Sequence, residues 1–212
     1  MKLGDWINRK RHNRGYGIQS PSSFFFVTQV LRERLPYYAY PTLDKIAGGN
    51  HRNKEHFREL FRITNHYKPA NCISVGSATA ACTMALARPS VTHYALAPAG
   101  MTADMQTLLN GNGCHIADSA EQLTAIFDKV GEVGMLFINA TEDAHALIRA
   151  TLPYINKNSI IVVDGINRNK TTQTLWQQVV NDSTTIITYD MYSYGVLLFD
   201  KERIKQHYTL KR

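Results

Sequence analysis

The run Ile160-Ile161-Val162-Val163-Asp164-Gly165 ends an apolar stretch on one carboxylate followed by a turn glycine. A carboxylate held at such a point can orient a hydroxyl or amine nucleophile, or take its proton. The plainer assignment of Asp164 is a turn or helix-capping residue, because Asp-Gly is itself a turn signal. A second candidate is CISVGSATAACTMALA, Cys72 to Ala87, which reads as a buried strand, a small-residue turn and a helix. Gly76 makes the turn and Ser77 to Thr79 open the helix, whose first N–H groups can meet a polar ligand. That outline commonly holds a nucleotide-like cofactor.

Other chemistry is poorly supported. Cys72, Cys82 and Cys114 are odd in number and form no CxxC pair, which argues against a disulfide framework and against zinc. The eight histidines show no HExxH or other tight ligand spacing, so they read as surface or satisfied core residues. No nucleophile–base arrangement stands out. His145 follows Glu142 and Asp143 at an expected helix start, where acids favour the helix dipole and the histidine reads as surface.

The elements that must position these residues follow from periodicity. Residues 1–13 form a short basic segment, and RGYGIQSP (14–21) is a turn. Ser20 reads as an N-cap with Pro21 at the first helical position. The helix after it presents Phe24, Val27, Leu31 and Leu35 on one face and stops at Pro36. A loop containing PYYAYP and AGGN leads to a second amphipathic helix over about 53–67, with Phe57, Leu60, Phe61 and Tyr67 on its core side. From residue 71 the period changes. Strands are expected at Cys72–Val75, His93–Leu96, His115–Ala117, Met135–Asn139, Ser159–Val163, Thr184–Tyr189 and Gly195–Phe199. Helices fall at about 79–87, 101–110, 119–129, 142–150 and 171–181. Such alternation gives βαβ crossovers and a mainly parallel sheet. Only the short segment around MYSY separates the last two strands, too short for a parallel crossover, so they pair antiparallel. The expected architecture is α/β: a Rossmann-like, seven-stranded, mainly parallel sheet with a terminal antiparallel hairpin. Residues 1–54 form an N-terminal helical cap with a basic arm, and 55–212 form the α/β domain, the whole one compact unit.

Ligands of open α/β sheets sit beyond the carboxyl ends of the strands. Those ends are Val75-Gly76-Ser77, Ala95-Leu96-Ala97-Pro98, Ala117-Asp118 and Ile138-Asn139-Ala140, with Asp164-Gly165-Ile166 on the substrate side. Here the sequence resembles the class I S-adenosylmethionine-dependent methyltransferases, in particular a bacterial subgroup of the small-molecule O-methyltransferase type. VGSATAAC stands where that family has its glycine-containing first motif, FINATED where it has an FID- or FLD-type strand end, and IIVVDGIN where it has its fifth-strand motif. RGYGIQSP followed by PYYAY resembles the segment that precedes the core in that subgroup. The resemblance covers about residues 55–200 and implies S-adenosylmethionine as cofactor. Ser74, Gly76, Ser77, Ala78, Ala95, Ala97, Asp118, Asn139 and Ala140 are then the cofactor-binding positions, and Asp164 the catalytic one.

The resemblance also exposes departures. The first-strand acid that supports the methionine amino end is Ser74 here, and the second-strand acid that takes the ribose hydroxyls is Ala95. Asn139 replaces the fourth-strand aspartate, and Ala80 the second glycine. A hydrogen bond to a charged acceptor contributes roughly 1.5–3 kcal/mol, so two or three losses cost about 3–9 kcal/mol. Micromolar binding amounts to about 8 kcal/mol. Weak or lost cofactor binding is therefore expected, with Asp104, Asp118 and the backbone of Gly76 to Thr79 as candidate compensations. Metal-dependent members of the family use aspartates after the fourth and fifth strands plus an asparagine. Asp164 with Asn139 and Asn167 is a poor magnesium set, and no metal is expected. Tyr37, Tyr38, Tyr40, Tyr192 and Tyr194 are candidates to line an acceptor pocket, or to serve as core and rim packing.

The net charge of +7 is concentrated in residues 1–34, where Lys2, Arg9, Lys10, Arg11, Arg14, Arg32 and Arg34 face only Asp5 and Glu33. Such an arm can meet nucleic acid, anionic lipid or an acidic partner, although no aromatic side chains interleave Arg9 to Arg14 as single-strand binding requires. A solvated helix face is the simpler assignment. The start, MKLGDWINRKRHNRG, lacks a signal peptide's apolar centre, and no apolar run approaches membrane-span length. A soluble cytoplasmic protein without membrane partners is expected. The functional expectation is methyl transfer to a small-molecule O or N nucleophile. Against it stand a catalytically inactive methyltransferase-fold binding or scaffold module and, third, nucleic-acid association through the arm.

Overall fold

The computed structural model describes residues 15–141 and 143–210. The basic segment at 1–13, Arg14 and Glu142 lie outside the described residues. Helices α1 (Pro21–Phe25, continuing as a π-turn over Phe26–Val30), α2 (Tyr40–Ala47) and α3 (His51–Tyr67) come first. Then follow β1 (Asn71–Val75), α4 (Ala78–Ala87), β2 (Thr92–Leu96), α5 (Ala103–Gly111), β3 (His115–Ala117) and α6 (Leu123–Val130). The chain continues through β4 (Met135–Asn139), α7 (Ala144–Thr151), β5 (Ile160–Asp164), α8 (Lys170–Asn181), β6 (Ile187–Asp190), β7 (Tyr194–Leu198) and β8 (Gln206–Thr209).

The sheet order is β3-β2-β1-β4-β5-β7-β6-β8. Strands β1 to β5 are mutually parallel where they pair, and β7 runs antiparallel to both β5 and β6. All seven expected strands and the antiparallel pairing of the last two are present. An eighth, β8, pairs parallel to β6 at the sheet's edge. Its sequence signal is only the alternation of buried Tyr208 and Leu210 within a polar stretch.

Alternation along the strands divides the core. Cys72, Phe137 and Val162 face α3, α4 and the N-terminal turns, whereas Ile73, Leu136 and Ile161 face the side covered by α6, α7 and α8. Successive strand residues point to opposite faces, and strands buried on both faces read as continuous apolar runs.

The N-terminal region departs from expectation in two ways. The first helix does not run to Pro36: Leu31 N–H donates to Phe26 O across the π-turn, and Arg62 donates to the carbonyls of Val30 and Leu31 at 3.1 and 2.8 Å. A side-chain cation thus satisfies the carbonyls that another turn of helix would have used. Phe26, Val27, Val30 and Leu31 become the buried face, while Phe24 and Leu35 are 44% and 65% exposed. The expected loop at PYYAYP contains α2, with Pro41 in its first turn, where its missing N–H has no cost.

Candidate functional site

The carboxyl ends of β1 to β5 and the start of β7 share one edge of the sheet. At the end of β1 the turn is tied down locally. Ser74, fully buried, donates its hydroxyl to Ser77 O at 2.9 Å. Gly76 takes φ +82°, open to glycine and resisted by other residues. Ser77 caps α4 by accepting from Ala80 N–H at 3.2 Å. The backbone donors expected to compensate are already engaged at two positions, since Gly76 N–H donates to Leu96 O and Ala78 N–H to Ala99 O.

The end of β2 separates the two alanines expected to matter. Ala95 is fully buried and belongs to an apolar cluster with Ala78, Ala81, Cys82, Ala85, Met105 and Leu109. Ala97, at φ +42°, donates its N–H to Ala117 O and is partly exposed. It lines an open groove of about 480 Å³ with Pro98, Ala99, Met101, Gln106, Ile116 and Asp118. Asp118 is exposed there. Asp104, the other candidate compensation, is held at 2.8 Å by Lys45, which draws its carboxyl below the usual carboxylate range.

Between β1 and β4 the edge is bridged. Asn139 Nδ2 donates to Gly76 O at 2.6 Å, so the side chain at the fourth-strand position crosses to the first-strand turn. Ala140 beyond it is buried and donates its N–H to Asp164 O at 2.7 Å.

At the end of β5, paired with Asn139 in register, Asp164 meets two cationic or donor side chains. His56 Nε2 of α3 lies 3.1 Å from Oδ1, and Arg168 Nη2 lies 3.8 Å from Oδ2. His56 is 9% and Asp164 22% exposed, whereas Arg168 is 56% exposed. The Oδ2 side is therefore the one that meets the more exposed partner. Gly165 permits this geometry: φ is +79°, and a Cβ there would stand 2.7 Å from the Arg168 guanidinium. Asp164 is not a helix cap, because Asn169 caps α8.

Tyr194, opposite Asp164 in the β5–β7 register, donates its hydroxyl to buried Glu59 at 2.9 Å. Its ring packs edge-on against His56 with centroids 4.9 Å apart. His56 Nδ1 is buried with no hydrogen-bond partner among the described residues. Asn167, expected beside Asp164, turns its amide to Tyr192 O at 2.8 Å. No group of three or more His, Cys, Asp or Glu suited to a metal is found among the described residues. Burial pushes the Cys72 and Cys82 thiols up to about 12 and the Cys114 thiol up to about 11, far from nucleophilic thiolates at neutral pH.

The edge thus has two parts. Ala97 and Asp118 meet at the groove. Ser74, Ala78, Ala95 and Ala140 lie buried beneath, with Gly76, Ser77 and Asn139 forming the seam toward Asp164. Of the tyrosines, Tyr194 is at the site, Tyr37 and Tyr40 pack on Phe61, and Tyr38 and Tyr192 are exposed. His145 is partly buried on α7 and lines a small cavity with Asp182 at the end of α8. His56, Glu59 and Arg168 were not anticipated. Their signal was a histidine on the stripe His56, Leu60, Ile63, where helical spacing puts a polar residue on an apolar face.

No family model and no curated protein sequence matches the chain. Solved structures do. The S-adenosylhomocysteine-bound methyltransferase PaMTH1 of Podospora anserina superposes with TM-score 0.58 at 10% identity, covering 79% of this chain and 90% of that one. The O-methyltransferase TomG of Streptomyces achromogenes, in complex with S-adenosylmethionine, gives 0.56 at 11%, covering 83% and 94%. The Bacillus cereus O-methyltransferase in complex with S-adenosylhomocysteine gives 0.54 at 9%, covering 82% and 95%. At these identities the likeness establishes the fold, which is that of the class I methyltransferases.

Proposed function

We propose that the chain is an S-adenosylmethionine-dependent methyltransferase acting on a small-molecule O or N nucleophile, with cofactor binding weaker than is usual for its fold. The observation that carries this reading is the position of Asp164. It stands at the end of β5, on the same sheet edge as the Ala97–Asp118 groove, with one oxygen held by His56 and the other beside the exposed Arg168. The groove fits a nucleoside: apolar walls from Ala97, Pro98, Met101 and Ile116 suit a flat base, and Asp118 and Gln106 supply polar partners. The seam at Ser74, Gly76 and Asn139 fits the amino-acid end poorly, for no carboxylate stands there.

When bound, the cofactor supplies an activated methyl group. The protein's part is to hold the acceptor in line and manage its proton, a contribution mostly of proximity and orientation. His56 restrains Asp164 through Oδ1, and Oδ2 orients the acceptor or accepts its proton. Arg168 limits how freely that carboxylate turns. The test is release of S-adenosylhomocysteine from S-adenosylmethionine with phenolic or amine acceptors. Turnover abolished by Asp164→Asn supports the reading, and absence of S-adenosylhomocysteine binding at millimolar concentration refutes it.

A second reading is a non-catalytic binding module. It is favoured by the Asn139–Gly76 bridge and by Ala95, which leaves no acceptor for ribose hydroxyls. Cofactor binding without turnover on any acceptor would favour it.

A further inference from the structure

Resting on the nucleoside placement proposed above, we infer that the site selects adenine nucleosides without a charged amino-acid tail, of the 5′-thioether type, as well as it selects the full cofactor. The two halves of the sheet edge differ in what they leave available. At the β2–β3 half the groove is open, about 480 Å³ in volume, with apolar walls and the exposed carboxylate of Asp118. That is ample space for a base and its sugar, and the carboxylate can accept from an exocyclic amine.

At the β1–β4 half several polar groups are engaged within the protein. Ser74 donates to Ser77 O, Asn139 to Gly76 O, Gly76 N–H to Leu96 O, and Ala78 N–H to Ala99 O. An amino-acid tail carries an ammonium and a carboxylate, both of which lose hydration on binding and need charged or donor partners in return. Asp164, the next carboxylate along the edge, has His56 on one oxygen and serves the acceptor with the other in the reaction proposed above. The tail therefore gains little at this site, and affinity resides in the nucleoside.

Calorimetric titration of the full chain with 5′-methylthioadenosine and with S-adenosylhomocysteine separates the possibilities. Affinities within about threefold of each other support the inference. Binding of 5′-methylthioadenosine alone supports it and overturns the methyltransferase reading. S-adenosylhomocysteine tighter by about tenfold or more, a difference worth about 1.4 kcal/mol, overturns the inference and leaves that reading intact. Heat from neither ligand at millimolar concentration overturns both. As a second measurement, Asn139→Asp places a carboxylate at the seam. It is expected to strengthen S-adenosylhomocysteine about tenfold with 5′-methylthioadenosine unchanged, and an equal gain for both would contradict the inference. Asp118→Ala is expected to weaken both ligands by the same factor; a loss confined to S-adenosylhomocysteine would contradict it.

Discussion

His56 Nε2 lies 3.1 Å from Asp164 Oδ1, joining helix α3 to the carboxyl end of β5. The contact makes the N-terminal helices part of the sheet edge rather than a cover beside it. Tyr194 and Glu59 reinforce it from β7 and from one turn further along α3. Replacing Asp164 by Ala leaves a buried histidine without its carboxylate, a cost of about 1–3 kcal/mol. Urea denaturation should show that loss. An unchanged midpoint would mean that the contact contributes nothing to the cap's attachment.

Arg62 is the side chain that positions α3. Nearly wholly buried, it donates to Val30 O, Leu31 O, Glu55 and Tyr40. Arg62→Leu removes the cation and strands several acceptors, a change on the order of 3–5 kcal/mol. Thermal unfolding should fall by many degrees. A shift of only a degree or two would contradict the clamp.

Ala95 shows why a family pattern cannot simply be restored. Its methyl belongs to the cluster beneath α4 and α5, so Ala95→Glu would bury an unpaired charge. The expected cost is about 3–5 kcal/mol, measured as a lowered unfolding midpoint. A variant of normal stability with tighter S-adenosylhomocysteine binding would show instead that the side chain reaches the groove.

The buried thiols give a pH prediction. Burial raises Cys72 and Cys82 to about 12 in the folded protein, whereas an unfolded thiol titrates near 8.5. Above that value the unfolded chain releases protons that the folded chain retains, so stability falls as pH rises toward 12. Chemical denaturation at pH 8 and pH 10 should show the decline, and Cys72→Ala should reduce it. No difference between wild type and Cys72→Ala in that slope would contradict the assignment.

Much of the sheet was legible because its strands are apolar runs bounded by turn residues, and the short segment around MYSY leaves no choice but antiparallel pairing. The N-terminal region was less so. Nothing in SSFFFVTQVLRERL announces a π-turn, because what ends the helix is Arg62, thirty residues away and held by α3. At the site, Gly76, Asp118 and Asp164 were identifiable from strand ends. The Asn139 bridge and the His56 contact join elements distant in sequence; helical spacing marks His56 as a polar residue on an apolar stripe but does not name its partner. Ala95 illustrates the converse: its place in the motif was visible, while its burial depends on how α4 and α5 pack.

The most direct measurement is the thermal midpoint of the full chain titrated with S-adenosylhomocysteine. A ligand that binds only the folded state stabilises by mass action. At about fivefold above a millimolar dissociation constant this is about 1 kcal/mol, or about 2–4 °C for a chain of this size. A rise of that order, growing with the logarithm of ligand concentration and diminished in Asp118→Ala, is the predicted result. A midpoint that does not move at any soluble concentration would contradict a cofactor site at this edge of the sheet.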